Sequence, residues 1–197
     1  MDSTWLLLIY SVPTEPSRKR AAVWRELKRV GAVTLRDGVW ALPERADTRA
    51  SFQAIAARVV ELDGQATLVT GGSIDATRAA ELVGAAQAAS TGEYQELLAE
   101  AEQFLAHVQR EREHRNVHFH ELEELEADLN KLWRWTKQVV ARDYFAATGQ
   151  AAVEQLLTQC DELLESFLEH AFRDAEDAPC SGTPANTPTS TAQPVPG

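Results

Sequence analysis

The chain has 197 residues, 44% hydrophobic and 25% charged, enough for a folded core and for one large or two small domains. No apolar run reaches the length of a membrane-spanning helix, and the two cysteines, Cys160 and Cys180, are too few for a disulfide framework. The net charge of −11 is unevenly spread: residues 1–74 carry ten Lys and Arg against eight Asp and Glu, residues 75–197 nine against twenty-two, so the second part is a poor partner for nucleic acid or anionic membrane while the first stays open to both.

The stretch Trp5–Val12 is continuously apolar, with aromatic and branched side chains, and predicts a central strand. It follows Asp2 and lacks a basic flank and cleavage site, so it does not read as a signal peptide, and a cytoplasmic location is the expectation. Pro16 suits the first turn of a helix over Ser17–Val30, in which Val23, Leu27 and Val30 form an apolar stripe with Trp24 beside them. Gly31 ends that helix. Ala32–Leu35 and Val39–Leu42 predict two strands joined by Asp37-Gly38, a hairpin turn in which both residues tolerate positive φ. Asp47 is placed as the cap of a second helix, with Phe52, Ile55, Val59 and Leu62 on one face. After Asp63-Gly64, Ala66–Val69 is a fourth strand. The order β-α-β-β-α-β predicts a ferredoxin-like sandwich over residues 1–74.

Residues 75–177 predict an antiparallel helical bundle, giving an α+β fold overall. Asp75–Gln87 reads as a short Ala-rich helix, and Ser90-Thr91-Gly92-Glu93 as a capping box that opens a longer one. Three apolar seams follow: Tyr94, Leu97, Ala101, Phe104, Val108; then Leu122, Leu125, Leu129, Leu132, Thr136, Val139; then Val153, Leu156, Cys160, Leu163, Phe167. Short connections near Asn116 and Gly149 make successive helices antiparallel. Residues 178–197 are rich in Pro, Thr, Ser and Gly and predict a disordered tail.

The strongest functional signal is the first helix. Arg18, Lys19, Arg20, Arg25, Lys28 and Arg29 fall within twelve positions, and Arg36 follows on the hairpin. Arg18, Arg25 and Arg29 are spaced to share a face, with Lys28 on a neighbouring one. Such a face can grip DNA phosphates or a tetrahedral oxyanion such as chromate through charge-assisted hydrogen bonds. The plainer alternative is a solvated face, paired with the protein's own acidic bundle. Trp133 and Trp135 flank the middle seam as an interface for a second subunit, or as intramolecular packing. His107, His114, His118 and His120 match no metal-ligand spacing, and no metal is expected. Cys160 lies on an apolar seam, Cys180 in the tail. No nucleophile elbow, P-loop or dinucleotide motif is present, Gly71-Gly72 is a weak signal, and neither cofactor nor enzymatic activity is expected.

Several segments together carry a family resemblance. Trp5–Pro13, Pro16-Ser17-Arg18, Trp24–Arg29, Gly31-Ala32-Val33, Asp37–Pro43, Phe119–Glu124 and Ala141-Arg142-Asp143-Tyr144-Phe145 resemble the N-terminal domain of the chromate-resistance regulators called ChrB, over about residues 4–174. The resemblance implies transcriptional control or chromate sensing for operons that encode a chromate efflux pump, with operator DNA, chromate and a second copy of the chain as candidate partners. Many ChrB proteins continue into a C-terminal chromate-resistance domain, where this chain has its Pro/Thr tail. The first 72 residues also resemble, more distantly, the ferredoxin-like domains of phenylacetate-operon repressors and of small CRISPR-adaptation nucleases. In those nucleases an aspartate at the end of the first strand holds the catalytic metal. Here Ser11 follows Tyr10, and a hydroxyl does not replace a carboxylate as a hard-cation ligand, so no nuclease activity is expected. The alternative is an accessory protein of chromate resistance that docks a partner through its bundle and does not touch DNA.

Overall fold

The computed structural model describes residues 4–114 and 119–177. Asn116, His118, Cys180 and the tail 178–197 lie outside the described residues. The elements run β1 (Trp5–Ser11), α1 (Arg18–Arg29), β2 (Val33–Arg36), β3 (Val39–Pro43), α2 (Ala46–Glu61), β4 (Gln65–Gly72), α3 (Ala76–His114), α4 (Phe119–Arg142) and α5 (Gln150–Asp177). The four strands form one antiparallel sheet in the order β2-β3-β1-β4, the ferredoxin-like arrangement.

The continuous apolar run of β1 follows from its central place. Leu6 and Leu8 face α1 and α2, packing with Val23, Leu27, Phe52, Ile55 and Val59. Trp5 faces the other way and packs with Ala41 and with Leu82 of α3. At the β2–β3 hairpin Arg36 pairs with Val39 across two residues, but only Gly38 takes positive φ, at 73°. Two cap assignments shift. Pro16 lies one residue before the α1 cap, Ser17. The α2 cap is Arg45, because the buried Thr48 hydroxyl accepts the Arg45 N–H (3.0 Å) and donates to the Pro43 carbonyl (2.7 Å). Asp47 sits inside the first turn instead, where its charge suits the helix dipole.

The largest difference from the sequence-based expectation is α3. The predicted break at Ser90–Glu93 does not occur, and one 39-residue helix runs through it. A capping box needs the Glu93 side chain to turn back on its own helix. Glu93 instead pairs with Arg142 at the end of α4, and the alanines before it favour an unbroken helix. As a result α3 serves both layers. Its first turns cover the sheet, with Arg78 donating to the Leu35 carbonyl (2.8 Å), and its remainder forms the bundle.

In the bundle, α5 starts beside Tyr94 and reaches Ala101 at Cys160, whose thiol lies 3.6 Å from the Ala101 carbonyl. It therefore runs with α3 and against α4. The α3 and α4 seams are buried as predicted. The α5 seam is not the predicted one: Val153, Leu157, Cys160, Leu164 and Phe167 are buried, while Leu156 and Leu163 are half-buried flanks. Both choices are leucine pairs one position apart. α5 packs on α3 and α4 together, so the centre of its apolar arc wins. Burial pushes the Cys160 thiol up to about 11, as expected of a small hydrophobe in a dry seam.

The turn after α4 ties the two layers together. Tyr144 donates its hydroxyl hydrogen bond to the Val30 carbonyl at the end of α1 (3.1 Å), and the Arg45 guanidinium lies over its ring. Phe145 packs on Trp5 with ring centroids 5.9 Å apart, and its carbonyl accepts from Gln87 (2.9 Å). Asp143 accepts from the Ala147 N–H (2.9 Å) and from the Tyr94 hydroxyl (3.3 Å). Gly31, at φ +71°, comes so close that a Cβ there would stand 2.7 Å from the Arg142 carbonyl oxygen.

Urea-denaturation midpoints test three features of this packing. Leu157→Ala should cost about 2–5 kcal/mol and Leu156→Ala less than about half of that, because only the first opens a cavity in the seam; equal costs would contradict the observed phase of α5. Gly31→Ala should cost at least about 1–3 kcal/mol, the backbone strain at positive φ, with the clash against the Arg142 carbonyl added to it, and Tyr144→Phe about 1 kcal/mol through its lost hydrogen bond.

Candidate functional site

The basic helix α1 is amphipathic, with Val23 and Leu27 fully buried against the sheet and the cations directed outward. Its six basic side chains are not equivalent. Lys19 turns across to the end of α2 and pairs with Asp63 at 2.6 Å, and that ammonium holds the Asp63 carboxyl below its usual range. Arg25 hydrogen-bonds the Ala21 carbonyl of its own helix (3.2 Å), which leaves its charge at the surface. Arg18, Arg20 and Arg29 are exposed, as is Arg36 at the end of β2. Among the described residues, Lys19 is the one α1 cation held in an ion pair. Among the described residues, no ion pair links the other α1 cations to the acidic bundle.

A second arrangement on the same helix was not legible as a site. Arg20, Trp24 and Lys28 succeed one another by four residues and so lie along one side of α1. Trp24, beside the apolar stripe in the sequence, is 51% exposed. Lys28 stands 5.9 Å from the ring of Trp24 and 5.9 Å from that of Trp40, a cation between two indoles. Tyr10, Ser11, Val12, Ser17, Arg20, Ala21, Trp24 and Gly38 border an open groove of about 550 Å³ beside it. Burial raises the Tyr10 phenol above its ordinary pKa, partly offset by a hydrogen bond with the Trp40 side chain. The one sequence signal for this groove was the four-residue spacing of a large aromatic with two cations.

The remaining candidates have local roles. Trp133 and Trp135 are half-buried against the bundle core, and the Trp133 indole donates to Asp161 at 2.8 Å. His107 lies 3.4 Å from Glu111 and His120 3.3 Å from Glu124, each one turn along its own helix. Among the described residues, no group of three or more His, Cys, Asp or Glu could hold a metal ion. Gly71 donates its N–H to Glu44 (2.7 Å), a strand-end contact. Among the described residues no helix is long and apolar enough to cross a membrane.

The family model described as "Protein ChrB, N-terminal" matches residues 20–178. Protein ChrB of Cupriavidus metallidurans is 36% identical over 80 residues, which cover 41% of this chain and 25% of that protein. The matched stretch thus spans about a quarter of the relative's length. No solved structure matches the chain. The family match takes in α1 from Arg20 onward, both layers and the turn that joins them, and on this evidence the chain belongs to the ChrB N-terminal family.

Proposed function

We propose that the chain acts in the regulation of chromate resistance, and that the exposed face of α1 meets the phosphates of operator DNA or a chromate-like oxyanion. Membership of the ChrB family supports the pathway. The observation that carries the site is the absence of ion-pair partners for Arg18, Arg20, Arg25 and Arg29 among the described residues, although the chain as a whole is strongly acidic. Four unneutralised guanidinium groups on one short helix repel one another, and a polyanion or oxyanion relieves that repulsion. In this reading the chain binds and does not catalyse. Ser11, which ends β1, offers a hydroxyl where a metal-dependent nuclease of this fold needs a carboxylate.

The acidic bundle favours a second reading, a partner-docking protein of the same pathway that leaves DNA alone. Residues 75–197 carry nine basic against twenty-two acidic side chains, and such a surface repels a duplex. A gel-shift series separates the two. DNA from upstream of the chain's own gene should bind at low salt, and affinity should fall steeply as salt rises. Replacing Arg18, Arg25 and Arg29 together by Ala should weaken binding and flatten the log–log salt slope by about 0.9 per lost phosphate contact. No shift at low salt, with and without chromate, contradicts the DNA reading. Chromate resistance left intact by the triple substitution favours the partner-docking one.

A further inference from the structure

The groove beside Trp24 has a chemistry that duplex backbone contacts do not use. A salt-like grip on phosphates needs cations alone, whereas here an indole stands in the open between them. Tryptophan is a costly side chain to leave half in water, since its apolar area goes unburied. The core stripe runs through Val23 and Leu27, and Trp24 lies off it, on the side of Arg20 and Lys28. Lys28 stands 5.9 Å from its ring and from that of Trp40. An indole with a guanidinium a turn away, about 5.4 Å along the axis, that holds no ion pair among the described residues presents a stacking surface beside an anion site. The groove volume of about 550 Å³ falls in the range of small-ligand pockets, about 300–1,000 Å³. Tyr10, Ser11 and Ser17, hydroxyl-bearing residues of the kind that bind a sugar, also border it.

We infer that this groove is a nucleoside-phosphate site: the base stacks on Trp24, and the phosphate pairs with Arg20, the cation that borders the groove. The ligand's source is a free nucleotide or an unpaired nucleotide within single-stranded nucleic acid, and the chemistry is shared. The inference does not depend on duplex binding by Arg18, Arg25 and Arg29, which lie on another face of the helix.

The test follows the tryptophan fluorescence of the whole chain as adenosine 5′-monophosphate, adenosine, inorganic phosphate or an oligodeoxyadenylate is added. Adenosine 5′-monophosphate or the oligonucleotide should quench emission. The quench should vanish in Trp24→Leu, whose emission isolates the contribution of the other four tryptophans. Arg20→Ala should weaken binding by about tenfold or more, as should removal of the phosphate from the ligand. The Arg18, Arg25, Arg29 triple substitution should leave nucleotide affinity within about twofold, so that failure of this site and failure of the DNA reading are distinguishable. Binding of the oligonucleotide without the mononucleotide identifies the single-stranded source, and the reverse identifies the free one. The inference is overturned if neither ligand changes the Trp24 signal, or if Trp24→Leu and Arg20→Ala bind as the parent does. A Trp24 signal that changes on dilution of the ligand-free protein marks a second copy of the chain as the occupant and overturns it equally. Both side chains are exposed, so neither substitution threatens the fold.

Discussion

The end of α4 and the turn that follows it sit where the sandwich and the bundle meet, and much of the molecule is arranged around four residues there. Arg142 pairs with Glu93 in the middle of α3, Asp143 accepts from Tyr94, Tyr144 reaches the end of α1, and Phe145 packs on Trp5 of the central strand. Each contact alone is modest, on the order of 1 kcal/mol for a neutral hydrogen bond. Together they join three helices and the sheet at one point. The same turn explains two features that looked unrelated. Glu93 is drawn away from its own helix, so α3 runs unbroken from the sheet into the bundle. Gly31 is required because nothing larger than a hydrogen fits against the Arg142 carbonyl.

That junction also fixes the basic helix. The end of α1 is held by the Tyr144 hydroxyl on the Val30 carbonyl, while its start is tethered by Lys19 to Asp63 at the end of the neighbouring helix α2. Between these two anchors the helix holds its cations and Trp24 outward on a rigid support. A binding surface gains from such pre-organisation, because less order has to be imposed when a ligand arrives. The acidic bundle lies beyond the junction and leaves most α1 cations without an ion-pair partner among the described residues. Charge is therefore separated along the chain: the sandwich holds the groups suited to anions, and the bundle holds an acidic exterior around a seam of leucine, valine and aromatic side chains.

Much of this was legible in the sequence because it rests on period and turn chemistry. The unbroken apolar run Trp5–Tyr10 announced a strand buried on both faces, Asp37-Gly38 announced the hairpin, and the seams of α3 and α4 were readable from their steps of three and four. What was not legible depended on partners distant in sequence. The unbroken α3 follows from an ion pair between positions 93 and 142, which no local pattern contains. The choice between Leu156 and Leu157 is set by two neighbouring helices at once. Trp24 stood beside the predicted stripe, and hydrophobicity alone does not tell an exposed aromatic from a buried one one position away. The cationic face of α1 was visible by spacing, but the loss of Lys19 to Asp63 required the fold.

If residues 142–145 bind sandwich and bundle into one cooperative unit, the whole chain melts as a unit in differential scanning calorimetry. One transition, with calorimetric and van't Hoff enthalpies equal, is the predicted result. Two resolved transitions, one for the sandwich and one for the bundle, would contradict it, since the junction would then be a contact between independent domains.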